Sequence, residues 1–459
     1  MINDNKFNQD NQQENNQQKI QLDDVPLNKF HIKIAGLTFG AHFIDGYILG
    51  MIGIALTLIT PEMGLNSLWQ GLLGASALIG LFIGSLCLGV ISDYVGRQKI
   101  FLISFVIITV ATALQFFVND PFQLLVLRIL IGFGLGGDYS VGHAILSEFS
   151  PRKQRGVLLA SFSVVWTFGY VLATFVGLWL NQSFEAAEAW RWMLVSSAPA
   201  AALILVFRIG TPESPRWLIS KGRVAEAQAI IEKFFGKNVY IKVSNRSSSD
   251  KKSNFIQLFS PRYIRRTFFN CVFFACIVMP YFAIYTFLPK ILDIMNLSAN
   301  FTTELLLNCL LIIGAVLGIY LTFKMTRRGF LISAFIILSL LLAGIALLPV
   351  DAMPWITILF FAGFTLILSA VSNLVGVFPA ESFPTHMRSS GIGLATSFSR
   401  LGSAVSTFLL PVAVVSIGMN NTLLCLAAIL AFGAIISILY APETKDKTLH
   451  NASNVNDGV

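Results

Sequence analysis

Twelve stretches of roughly twenty or more almost continuously apolar residues constrain this chain more than any other feature. They lie near 34–59, 69–91, 99–117, 122–147, 156–180, 191–208, 267–291, 304–323, 330–348, 354–379, 389–416 and 422–440. A helix of ~20 residues, rising ~1.5 Å per residue, crosses the ~30 Å hydrocarbon layer of a bilayer. Only helices and closed barrels satisfy their backbone there. Barrel strands alternate polar and apolar residues, whereas these stretches run unbroken. Only 12% of the chain is charged and 55% is hydrophobic, with a mean hydropathy of +0.71, against a charged share of ~25% in soluble domains. So much apolar surface finds no soluble core at this length. The fold class is an all-α membrane protein with 12 transmembrane helices. A soluble enzyme, a nucleic-acid-binding module and a disordered scaffold are excluded.

An even number of spans puts both ends of the chain on one side. The connections at 60–68, 118–121, 181–190, 292–303, 349–353 and 417–421 contain no Lys or Arg. The opposite side carries Arg97 and Lys99, then Arg152, Lys153 and Arg155, then thirteen basic residues from Arg208 to Arg266, and finally Lys324, Arg327, Arg328 and Arg388. Basic loops stay in the cytoplasm, so both termini are expected there. The net charge of +8 is then a topology signal, and no nucleic-acid partner is expected. Five cysteines sit inside apolar stretches without ligand spacing, which points to packing; no metal and no cofactor are expected.

The expected organisation is a disordered polar tail over 1–28, a six-helix bundle over 29–209, a cytoplasmic linker with short helices over 210–264, a second bundle over 265–441, and a tail over 442–459. The two bundles repeat one another. Glu148-Phe-Ser-Pro151 with Arg155 recurs as Glu381-Ser-Phe-Pro384 with Arg388. Pro212-Glu213-Ser214 recurs as Pro442-Glu443-Thr444, and Gln98-Lys99-Ile-Phe-Leu-Ile-Ser as Arg327-Arg328-Gly-Phe-Leu-Ile-Ser. Two pseudo-symmetric six-helix bundles facing one another across a site near the midplane form the architecture of secondary transporters.

Gly89-Val-Ile-Ser-Asp93-Tyr-Val-Gly96-Arg97-Gln-Lys99 resembles the loop signature of the major facilitator superfamily. Trp190-Arg191-Trp192, Pro212-Glu-Ser-Pro-Arg216-Trp217, Glu381-Ser-Phe-Pro-Thr and Pro442-Glu-Thr-Lys445 resemble its sugar porter branch, over roughly residues 34 to 448. The resemblance implies alternating-access transport of a small solute. Three departures turn the substrate away from hexoses. Span 7 reads Cys276-Ile-Val-Met-Pro280-Tyr where hexose porters carry a Gln-Gln…Asn cluster. Span 10 reads Ser372-Asn373-Leu-Val-Gly376 where they carry Gly-Pro-x-x-Trp. Asp45-Gly46-Tyr47 in span 1 is closer to the start of aromatic-acid/proton symporters, and Gly136-Gly137-Asp138-Tyr139 is similar to phosphate/proton symporters.

A charge in the bilayer core costs at least ~2.5–3.5 kcal/mol on insertion scales and needs a reason. Asp45, Arg128, Asp138 and Arg400 are the candidates; Asp45 and Arg400 are each expected about 17 Å from the cytoplasmic edge. Asp45 is the expected proton-coupling residue with Arg128 as its movable partner, the bland alternative being a permanent ion pair that only fixes packing. Asp138, with His143, either extends a proton path or ties a neighbouring helix, and His42 reads as a packing residue. Arg400 is a candidate carboxylate or phosphate clamp. Tyr281, Tyr285 and Asn373 are candidate substrate-binding residues, against the alternative that such aromatics simply pack. By resemblance, Asp93, Arg97, Glu148, Arg155, Glu381 and Arg388 form salt-bridge networks that gate the inner side. Gly132-Phe-Gly134-Leu-Gly136-Gly137 formally matches a dinucleotide fingerprint but lies mid-bilayer with no strand before it, so its glycines read as helix contacts.

The expected function is therefore secondary active transport of a small organic metabolite, an organic acid in preference to a sugar, by proton symport. Sugar or phosphate symport, drug export and a non-transporting solute sensor are the alternatives. The expected partners are the substrate, protons and the lipid bilayer, with the chain acting as a monomer.

Overall fold

The computed structural model describes residues 20–240, 257–295, 301–348, 354–383 and 388–443. Twelve helices are long and apolar enough to cross a membrane: spans 1 to 6 are Lys29–Glu62, Ser67–Val95, Arg97–Phe117, Pro121–Phe149, Val157–Ser183 and Ala186–Arg208. Spans 7 to 12 are Ile264–Thr286, Thr303–Thr322, Arg327–Leu347, Pro354–Pro379, Ser390–Ile417 and Met419–Tyr440.

Local chemistry sets where these helices start. Asn28 and His31 form a reciprocal cap, each side chain accepting the other's backbone N–H at 3.0 Å. Asn66 accepts Trp69 N at 3.0 Å, and Asp120, just before Pro121, accepts Phe122 N at 2.9 Å and Gln123 N at 3.2 Å. Two spans are broken: span 6 at Ser196–Ser197 and span 10 at Ser372–Asn373.

Spans 2 and 4 pack backbone against backbone. A Cβ on Gly80 or Gly84 would lie 2.1 Å from the Ile129 or Phe133 carbonyl oxygen, and one on Gly132 would lie 2.1 Å from the Ala77 oxygen. The glycine run of span 4 is thus a close-packing stripe. Gly314 and Gly318 do the same for span 8 against span 10. Such contact replaces the hydrophobic drive that lipid removes.

The N-terminal stretch departs from the expectation of a wholly disordered tail. Ile20–Gln21 pairs in parallel with Val239–Tyr240 of the linker, and Leu22 and Val25 are buried against Ile231 and Val239. Two apolar residues at the end of a polar tract suffice to dock it. Within the linker, helices Pro215–Ser220 and Val224–Phe235 pack through Trp217, Leu218 and Ala227. Residues 1–19, most of the second part of the linker and the stretch beyond 443 lie outside the described residues.

Candidate functional site

The buried charges are brought together in an arrangement that differs from the expected one. Asp45 is 5% exposed, and its Oδ2 accepts the Trp166 indole N–H at 3.1 Å while Oδ1 has no hydrogen-bond partner. The cation in electrostatic range is Arg400 of the other half. Arg128 does not pair with Asp45, which corrects the expected pair: it sits nearer the other end of span 4, where its Nε donates to Ser76 Oγ at 3.3 Å. Helix adjacency alone does not bring the two side chains to one level. Trp166 lies against Asp45, and Gly46 is so close to span 5 that a Cβ would sit 2.1 Å from the Trp166 oxygen.

Arg400, 7% exposed, reaches from span 11 into the first half. Its guanidinium carbon lies 5.0 Å from the Tyr139 ring centroid and 5.8 Å from that of Phe282, and its Nε has no partner. Phe282 meets Trp166 at 5.9 Å, so an aromatic bridge joins the two halves at the level of Asp45. His42 stacks on Phe162 at 4.0 Å and lies 4.9 Å from His143, while its Nδ1 sits 3.2 Å from the Thr38 oxygen. Its packing role is as expected from the sequence.

Asp138 is fixed. Arg208 donates to its Oδ1, donates to the Phe101 oxygen at 2.7 Å, and lies 3.4 Å and 3.9 Å from the Phe101 and Phe105 ring centroids. Counted above among the cytoplasmic loop charges, Arg208 is instead wholly buried. Reading it as buried would have required pairing it with Asp138 across 70 residues, which no local pattern encodes.

The remaining substrate candidates are engaged with the protein. Tyr285 donates to Thr365 Oγ1 at 2.5 Å and its carbonyl accepts the Tyr170 hydroxyl at 2.9 Å. Tyr281 stacks on Tyr285 at 5.0 Å and meets Trp166 at 6.0 Å. Asn373, at the break in span 10, donates to the Ala315 oxygen at 2.8 Å and so ties span 10 to span 8.

On the basic side, Arg97 reaches Asp93 at 2.9 Å and Glu148 at 3.6 Å. The repeat mate Arg327 reaches Glu381 at 3.7 Å. Sequence reading missed one further glutamate in each set. Glu213 accepts the backbone N–H of Arg97 at 2.9 Å and of Gln98 at 3.2 Å, capping span 3; Glu443 accepts those of Arg327 at 3.1 Å and Arg328 at 3.2 Å, capping span 9. The repeated Pro-Glu-Ser and Pro-Glu-Thr motifs were the signal. These ion pairs stay within one half each, so they brace each bundle and do not bridge the two. The side chains of Arg155 and Arg388 lie outside the described residues.

The halves lock together on the opposite side. Tyr170 bonds the Tyr285 carbonyl, Thr174 Oγ1 donates to Asn308 Oδ1 at 3.4 Å, and Lys290 donates to Gln70. Partial burial holds the Lys290 ammonium below its usual pKa. A Cβ on Gly71 would lie 2.2 Å from the Phe408 oxygen, and one on Gly53 2.6 Å from the Thr286 oxygen. Between them remains a narrow cleft lined by Tyr170, Thr174, Tyr285, Asn308 and Glu304, a carboxylate that sequence reading passed over.

The chain matches the family of sugar (and other) transporters over residues 2–455. It is 53% identical to the inner membrane metabolite transport protein YgcS of Escherichia coli (strain K12) over 440 residues, 96% of this chain and 98% of that protein. It is 26% identical to the niacin transporter NiaP of Acinetobacter baylyi, over 94% of this chain and 98% of that protein. Its fold matches the inward open conformation of the xylose transporter XylE from E. coli, with a TM-score of 0.76 at 19% identity, over 92% of this chain and 99% of that one.

Proposed function

The chain belongs to the sugar porter family of the major facilitator superfamily, a multi-pass family of solute transporters, and from that premise we propose that it imports a small organic carboxylate together with a proton. The observation that carries this reading is the Trp166–Phe282 bridge between the halves, with Asp45 bonded to Trp166 on one side and Arg400 5.8 Å from the Phe282 ring centroid on the other.

Asp45 carries the proton, and Arg400 binds the substrate carboxylate through a guanidinium whose Nε is otherwise unpartnered. The two functions couple through one charge. With no substrate, the positive charge of Arg400 favours an ionised Asp45. An anion on Arg400 takes up that charge, and a proton then joins Asp45. Loaded with both, the site carries no uncompensated charge and the halves rock around it; loaded with either alone, a buried charge opposes the movement. Asp138 stands outside this cycle because Arg208 holds it in place, and Arg128 braces spans 2 and 4. Tyr281 borders the site from span 7. Tyr285 and Asn373, engaged with Thr365 and Ala315, shape its walls.

The orientation follows the basic loops. Both termini lie in the cytoplasm of a bacterial inner membrane, and the locked side described above is the periplasmic one. Relatives at 26% identity include a transporter of niacin, itself a small carboxylate, and an arabinose-proton symporter, so the buried guanidinium of Arg400 is what favours a carboxylate here. A screen in proteoliposomes under an imposed pH gradient, with organic acids, sugars and phosphate, tests the reading. Uptake of a carboxylate that collapses in Arg400→Lys supports it; sugar uptake with Arg400→Lys unaffected overturns it.

A further inference from the structure

Glu304 opens span 8 near the end that packs against the other half. Its side chain faces the cleft between the halves, where Tyr170 and Thr174 of span 5, Gly50 and Gly53 of span 1 and the Tyr285 end of span 7 surround it. Of the titratable side chains on these elements, Tyr170 and Tyr285 line the cleft with Glu304. Asp45, Tyr47 and Glu62 of span 1 and Tyr281 of span 7 lie outside its lining, the first three bonded to Trp166, Ser196 and Trp190. The adjacent short helix Leu288–Ile294 carries Asp293 and Lys290, which donates to Gln70 of span 2. Among the described residues no Lys or Arg forms an ion pair with Glu304. Closing the halves on this side therefore encloses a carboxylate among tyrosines, a threonine and an asparagine. An ionised carboxylate enclosed without a cation costs several kcal/mol, while a protonated one fits as a hydrogen-bond donor and acceptor.

We propose that Glu304 is a second protonation site, separate from the substrate site, which must take up a proton from the outer side before the outer gate closes. The proposal deepens the coupled-carrier reading and rests on it for the meaning of gate closure. When the gate is open, water solvates the ionised group. Neutral Glu304 then favours the closed state, so closure is complete at low pH and is lost as pH rises.

The test is a distance measurement by pulsed electron spin resonance on the full chain in liposomes. Spin labels are placed at Leu68→Cys and Ile417→Cys, exposed positions on opposite halves at the outer side, in a background with the five native cysteines replaced. In the parent, the long-distance population is expected to rise at least threefold from pH 5 to pH 9. Glu304→Gln is expected to hold the short distance at both pH values, and Glu304→Asp to restore a pH response. A parent that does not respond, or a Glu304→Gln variant that responds like the parent, overturns the proposal. So does recovery of the short distance at pH 9 on adding sodium, which assigns the group to a metal cation. A normal pH response with no solute uptake under any gradient would instead overturn the carrier reading and leave Glu304 as assigned.

Discussion

A buried charge in a membrane protein is informative because it is expensive, and the four charges inside the apolar stretches were legible for that reason. Their partners were not. Asp45 and Arg400, 355 positions apart, come to the two sides of the Trp166–Phe282 bridge only once two bundles face one another, and Asp138 finds Arg208 at the very end of span 6. Two predictions belong to single residues. Asp45→Asn should abolish proton-driven uptake while sparing counterflow exchange of labelled for unlabelled substrate. Loss of both, or of neither, contradicts its coupling role. Asp138→Asn leaves the Arg208 charge buried and unpaired, at a cost of about 3–5 kcal/mol. The double variant with Arg208→Met removes both charges and should recover most of the loss, measured as Tm in detergent. A double variant no more stable than Asp138→Asn would show that the pair is not the source of the effect.

The elements were the most legible scale, since length and hydropathy alone delimit a helix that must cross lipid. All twelve spans correspond to helices, and the glycine run of span 4 reads correctly as a contact surface once its mid-bilayer position is noted. Breaks and caps were less legible. The kink at Ser372–Asn373 depends on Asn373 finding the Ala315 carbonyl on span 8, and the caps of spans 3 and 9 come from glutamates more than a hundred residues away. Glu213→Ala and Glu443→Ala should each lower stability by about 0.5–2 kcal/mol, the range for losing a good helix cap, and by similar amounts because the two sites are repeats. Thermal melts of the two variants and the parent check this; a large effect at one site and none at the other would break the symmetry argument. Gly84→Val, by contrast, drives a side chain into the Phe133 carbonyl. It should cost about 1–3 kcal/mol or more and reduce the yield of folded protein in a membrane fraction.

For the whole molecule, the internal repeat announced two bundles, and their face-to-face arrangement follows from it. Which side is closed is a property of the conformational state and leaves no trace in residue order. In this structure the halves are held together on the side of the loops that lack Lys and Arg by Tyr170, Thr174 and Lys290, and bridged at the centre by Arg400. Lys290→Met should loosen that closure. A Thr286→Cys reporter, in a cysteine-free background, should then react several times faster with a membrane-impermeant maleimide; an unchanged rate would exclude Lys290 from the gate.

One proton moving with one monovalent carboxylate transfers no net charge. Accumulation at equilibrium should therefore follow the pH gradient, about tenfold per unit, and ignore the membrane potential. The most direct measurement is uptake of a radiolabelled carboxylate into proteoliposomes whose pH gradient and potential are clamped independently, for the parent and for Asp45→Asn. The parent should accumulate substrate with the pH gradient alone, and Asp45→Asn should only equilibrate it. Accumulation by Asp45→Asn equal to that of the parent would contradict the account.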